Sequence, residues 1–248
     1  MADINEVRQF WNSHINNEYY TKQERASAEY FDEIAKKRYQ HHYHLPELFD
    51  KMGEGHGKTL LEIGCGIGID TVQLAKRGFK VTAVDLTENA IEIARDHAKR
   101  LNLSINYQLG NAEKLNFPDN TFDVIYSFGV IHHTPDMPQA AREIYRVLKP
   151  GGKIYIMIYA KYSLVNAIHV IFRIPYESPK NLNDHAPVTI RSSKGEAKEL
   201  FKDFKNVTLH ADYPFTYGMR IISNCLPVSF KKFLGKLFGW HLMIEAMK

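Results

Sequence analysis

The chain has 248 residues, 44% hydrophobic and 24% charged, enough for one globular domain with a sizeable core, which excludes a disordered or fibrous chain. Its net charge of +4 is too small to argue for nucleic acid, and two cysteines, Cys65 and Cys225, exclude a disulfide framework. No apolar run reaches membrane-spanning length and MADINEVRQFW lacks a signal-peptide core, so a cytoplasmic protein is expected.

Residues 1–57 are rich in aromatic residues at helical spacing, among them Trp11, Tyr19, Tyr20, Tyr30 and Tyr39, and are expected to form an N-terminal helical lid. The stretch GEGHG (53–57) reads as a linker. TLLEI (59–63) is an apolar run suited to a strand buried on both faces. A helix over 70–78, a strand over 81–86 and a helix over 88–101 with Thr87 as its cap follow. Strands at 105–110 and 122–128, a helix at 137–148 stopped by Lys149-Pro150-Gly151-Gly152, and a strand at 153–160 continue the alternation. Beyond Ala160 the pattern loosens into a helix at 163–173, a loop at 174–192, a helix at 195–204, and strands at 207–213 and 240–247. The insertion 214–239 carries a short amphipathic helix, on which Lys231, Lys232 and Lys236 are expected to form a solvated face. Strands alternating with helices predict an α/β fold. We expect a doubly wound, Rossmann-like, mostly parallel seven-stranded sheet with an antiparallel last strand, compact over 58–248.

Residues 59–70, TLLEIGCGIGID, place Gly64, Gly66 and Gly68 directly after the first strand. A glycine turn leading into a helix lets a ligand approach the backbone and aims N–H groups at it. A dinucleotide fingerprint needs a third glycine three positions after the second. Ile69 stands there, which argues against a nicotinamide dehydrogenase. Asp85 ends the second strand, 21 positions after Gly64, where a carboxylate can accept from both hydroxyls of a ribose. Cys65 sits at a helix start, where a thiolate is favoured, but a packing role is the expectation.

Four stretches, LLEIGCGIG, VTAVDLT, GNAEKLNFPDNTFDVIYSFGVIHHTPD and RVLKPGGKIYI, resemble in order and spacing the class I S-adenosylmethionine-dependent methyltransferases. The branch that includes the ubiquinone/menaquinone C-methyltransferases is the most similar. The resemblance covers residues 58–160 and, loosely, the final strands. It implies S-adenosylmethionine as cofactor and S-adenosylhomocysteine as product. By position, Gly64, Cys65, Gly66 and Gly68 would line the methionine and ribose part, with Glu62 orienting the loop. Asp85 would hold the ribose, and Leu86 would pack on adenine. Asn111, where the family usually has Asp, would accept from the adenine amino group, Ala112 would offer its N–H, and Phe128 its carbonyl. His132 and His133, after the fourth strand, are the candidate general bases.

Tyr19, Tyr20, Tyr30, Arg38 and Tyr39 are lid candidates around the acceptor, with His185 and Asp184 on a second wall. His41, His42 and His44 have no matching ligand spacing nearby, so no metal is expected. The expected acceptor is a small molecule, methylated on O, N or C. Methylation of a protein or tRNA, or a non-catalytic cofactor-binding protein, are the alternatives. SFGV stands after the fourth strand where amino-group methylation of bases uses an N/D-P-P-Y/F tetrapeptide. Nucleic acid is therefore not an expected partner; the chain is expected to be a monomer or a homodimer.

Overall fold

A computed structural model describes residues 2–15, 18–176, 185–215, 219, 223 and 225–248. The centre of the fold is β1 (Thr59–Ile63), in which every residue but the first is buried, as helices on both faces require. It pairs in parallel with β2 (Lys80–Asp85) and β4 (Phe122–Phe128). In turn β2 pairs with β3 (Asn106–Leu109), and β4 with β5 (Leu148–Ala160), again in parallel. The last long strand, β8 (His241–Met247), runs antiparallel between β5 and β7 (Lys205–Asp212), giving the order β3-β2-β1-β4-β5-β8-β7.

Two details differ from the sequence reading. An eighth strand, β6 (Arg191–Ser192), pairs in parallel with the end of β5; two residues are too few to show a period. β5 also starts at Leu148, because Phe122 pairs with Leu148 before a register shift that takes up Pro150 and Gly151.

Helices α4 (Ile69–Lys76), α5 (Glu88–Arg100) and α6 (Met137–Val147) are the crossovers. On one face Ile144 and Val147 of α6 pack on Ile125 and Ile154. On the other, Leu74 and Ala94 pack on Leu60 and Ala83. The N-terminal segment supplies α1 (Ile4–Ser13), α2 (Ala28–His41) and α3 (Leu45–Met52). Phe31 and Ile34 of α2 meet Ile69 and Ile93, while Leu48 and Phe49 of α3 join the core around Leu60.

The later helices are α7 (Leu164–Phe172), α8 (Lys194–Leu200) and α9 (Val228–Phe238). In α9 the lysines do not share a solvated face. Lys231 is buried with its Nζ 5.3 Å from the Tyr43 ring, Lys232 pairs with Glu47, and only Lys236 is exposed. The helix packs through Lys231 and Gly235 and turns Phe230, Phe233 and Leu237 outward. Gly235 allows this because a Cβ there would stand 2.9 Å from Asp212.

Candidate active site

The carboxyl ends of β1, β2 and β4 surround a cavity with about 1080 Å³ of empty space that opens to solvent. It lies where the strand order reverses between β1 and β4, the place where open α/β sheets hold ligands. Its floor follows from the sequence: β1 ends at Ile63 and α4 must start at Ile69, so the chain turns at once. Gly64, Gly66 and Gly68 make that turn with φ of +74°, +51° and +79°. A Cβ on Gly64 would stand 2.2 Å from Val130, whereas one on Gly66 would meet nothing within 4 Å. Gly68 lies behind the cavity wall, against Tyr107 and Ala94.

Asp85 locks this loop to the end of β2. One carboxylate oxygen accepts from the Gly66 N–H at 2.8 Å, the other from Thr87 N–H at 3.0 Å and Thr87 Oγ at 2.8 Å. Two oxygens offer about four lone-pair sites, so capacity remains for a ligand. Glu62 reaches the cavity from β1, is 3% exposed, and its Oε2 has no hydrogen-bond partner among the described residues. Burial, and then the charge of Asp70, hold its pKa well above the ordinary carboxylate range.

Next to it, Arg38 reaches in from α2 and grips Asp70 with two nitrogens, Nε at 2.8 Å from Oδ1 and the second on Oδ2. Tyr126 donates to Oδ2 at 2.7 Å and Tyr39 to Oδ1 at 3.1 Å. The Arg38 guanidinium also lies 5.3 Å over the Phe128 ring, on the cavity wall. At the other end are Leu86, Asn111 and Ala112. Asn111 Oδ1 already accepts from the Glu113 N–H at 2.9 Å, and a carbonyl has a second lone pair. Cys65 also lines the cavity, and burial followed by the Asp85 charge raises its thiol pKa, the reverse of an activated nucleophile.

The two histidines after β4 part company. They occupy a single 3₁₀ turn, Ile131–His133, so successive rings point in different directions. His133 lines the cavity, with its ring 5.1 Å from that of Trp11. Its Nδ1 lies 2.8 Å from the Val188 carbonyl, which can only accept, so that nitrogen carries the proton and Nε2 holds the basic lone pair. His132 is fully buried against Tyr159, ring centroids 4.0 Å apart, and neither of its nitrogens has a hydrogen-bond partner among the described residues. Burial pushes its pKa well down.

The stretch 61–156 matches the family described as "Methyltransferase domain". Residues 61–156 are a class I S-adenosylmethionine-dependent methyltransferase domain. The chain is 39% identical over 116 residues to Phosphoethanolamine N-methyltransferase 3 of Arabidopsis thaliana, covering 46% of this chain and 24% of that protein. It is 34% identical over 136 residues to the Ubiquinone biosynthesis O-methyltransferase of Coxiella burnetii, covering 52% of this chain and 56% of that one. The chain thus spans a quarter to about half the length of these relatives. The crystal structure of the [4+2]-cyclase SpnF aligns with all of this chain and 97% of that one at a TM-score of 0.67 and 17% identity, a likeness of fold.

The methyltransferase domain's cavity fits the sulfonium cofactor on its own chemistry. A buried carboxylate with one unpartnered oxygen, Glu62, lines it, a second carboxylate stands at the end of β2, and Gly66 leaves room at the backbone. A wall that the sequence reading did not assign comes from α1, through Ile4, Val7 and Trp11. Their spacing of three and four was the available signal. Of the lid candidates, Arg38 alone lines the cavity. Tyr39 touches it through Asp70, Tyr30 is a core ring bonded to Glu18, Tyr20 packs on His41, and Tyr19 is half exposed. His185 is exposed and does not line the cavity, while Asp184 lies outside the described residues. No described helix is long and apolar enough to cross a membrane.

Proposed function

We propose that the chain is an S-adenosylmethionine-dependent methyltransferase acting on a small molecule. The observation that carries this reading is the alignment, along one cavity, of the Asp85-locked glycine loop, the buried Glu62 carboxylate with its one unpartnered oxygen, and the His133 ring. When bound, the cofactor supplies a methyl group on a positively charged sulfur. Asp85 and the glycine loop would hold the ribose, Glu62 would meet the amino group, and Phe128 and Leu86 would pack against the remainder. Displacement at a methyl carbon needs the acceptor in line and close, so positioning supplies most of the acceleration. His133, with its Nδ1 proton anchored on Val188, takes the acceptor's proton at Nε2 when that acceptor is a hydroxyl or an acidic carbon.

A small acceptor is favoured over a protein or tRNA because α1 covers part of the cavity through Ile4, Val7 and Trp11. The names of the two relatives, one for phosphoethanolamine and one for ubiquinone biosynthesis, point the same way. A cytoplasmic site of action suits such an acceptor and the absence of a spanning helix among the described residues.

Calorimetric titration with S-adenosylhomocysteine, with NADH in parallel, tests the reading. Saturable binding of the first alone is expected, followed by transfer of labelled methyl to a small acceptor. Failure to bind S-adenosylhomocysteine would favour a protein that keeps the fold without the reaction. Binding with transfer only to protein or tRNA would replace the acceptor class.

A further inference from the structure

Three buried imidazoles meet outside the cofactor cavity. His42 and His44 flank the turn between α2 and α3, and His241 opens β8, 197 residues beyond His44. One ring nitrogen of each lies within 4.8 Å of the other two. His44 Nε2 and His241 Nδ1 are 3.2 Å apart. We propose that His42, His44 and His241 form a binding site for a divalent first-row transition ion of the zinc type.

Four observations support it. Zinc–nitrogen bonds of 2.0–2.1 Å in a tetrahedron place donor atoms about 3.3 Å apart, which the His44–His241 pair already matches. All three rings are at least 94% buried, with exposures of 6%, 6% and 3%, so an ion held among them would be shielded from bulk solvent. His44 stands at the N-cap of α3 yet makes no capping bond with its side chain, and its Nδ1 has no hydrogen-bond partner among the described residues. Finally, a carboxylate is in place to offset the ion's charge: Asp212 faces His241 in the β7–β8 register and is held by the Tyr43 hydroxyl at 2.8 Å. Phe128 and Tyr213 close the sides, so water has little access. Among the described residues this is the one group of three such side chains with donor atoms so close.

Three neutral imidazoles are a donor set suited to zinc, cobalt, nickel or copper. Phe128 touches all three rings and lines the cofactor cavity from its other side. The ion would therefore pin the α2–α3 turn to β8 without facing the methyl acceptor. The sequence reading expects no metal because the 41–44 histidines have no ligand near them in the chain; the missing ligand is His241.

The test uses the full chain, stripped with chelator and titrated separately with zinc and cobalt. One equivalent of zinc should bind, raising the melting temperature, and cobalt should give the intense visible absorption of a tetrahedral nitrogen site. His42→Ala, His44→Ala and His241→Ala, each checked for folding by circular dichroism, should each weaken zinc binding roughly 100-fold. The exposed His56→Ala should leave it unchanged. Absence of stoichiometric binding by the wild type overturns the proposal, as does full binding by any folded variant of the three. If no variant folds, the wild-type cobalt spectrum decides: weak octahedral bands overturn it.

Discussion

Glu62 carries a carboxyl group where it has no hydrogen-bond partner for one oxygen, and that has a measurable consequence. Its folded pKa is raised above the unfolded value, so its contribution to stability is intact below the ordinary carboxylate range. That contribution is lost as pH rises from about 4.3 towards the shifted value. In the absence of cofactor, Glu62→Gln should therefore melt higher than the wild type at pH 7, and the gap should close as pH falls to 4. An equal gap at both pH values would show that ionisation is not the cause. The same variant should bind S-adenosylhomocysteine more weakly. Of the two histidines, His133→Ala should lower turnover about 10²-fold or more with cofactor affinity kept. His132→Ala should act through stability instead, since its ring packs on Tyr159. Equal turnover in His133→Ala and wild type would leave positioning as the whole of catalysis. The glycine loop and Asp85 were legible in the sequence because their chemistry is local: a forced turn and a carboxylate at a strand end. Which of His132 and His133 faces the cavity was not, because one residue's step around a 3₁₀ turn decides it.

Between elements, a buried ion pair ties the N-terminal segment to the helix that follows the glycine loop: Arg38, on α2, grips Asp70, in the first turn of α4. Both side chains are nearly buried, at 10% and 4% exposure, so removing one leaves the other charged and uncompensated. Arg38→Ala should destabilise the protein by about 3–5 kcal/mol in chemical denaturation. Adding Asp70→Asn should return much of that, because Tyr39 and Tyr126 can bond a neutral amide. Simple additivity of the two losses would mean that the pair is not coupled. The helices themselves were legible from their spacing, although Thr87, at the N-cap of α5, makes no side-chain capping bond and α6 ends at Val147, before the Pro-Gly-Gly stretch that belongs to β5. What the period could not show was partnership. The α1 stripe of Ile4, Val7 and Trp11 reads as an ordinary core face until the cavity behind it is seen. The α9 pattern likewise misleads, because Gly235 brings the lysine side of the helix inward.

Across the molecule, alternation of strands and helices sufficed for the parallel half of the sheet, since each crossover has one favoured hand. The antiparallel end was anticipated as a pair, but the insertion of β8 between β5 and β7 depends on long-range pairing that no local pattern carries. Seven residue pairs join β8 to β5. Ending the chain before His241 should therefore abolish cooperative unfolding and not merely lower the melting temperature; a sharp transition in the truncated chain would refute this. The strand order also imposes a sequence of events during synthesis. β7 leaves the ribosome before β8, yet its described strand partner is β8. Until those last residues emerge, β7 waits with its backbone groups unpaired, beside a β5 whose outer edge is equally bare. This stretch of the nascent chain is where a chaperone would find strand edges to hold, and where a pause in translation would expose the protein to aggregation.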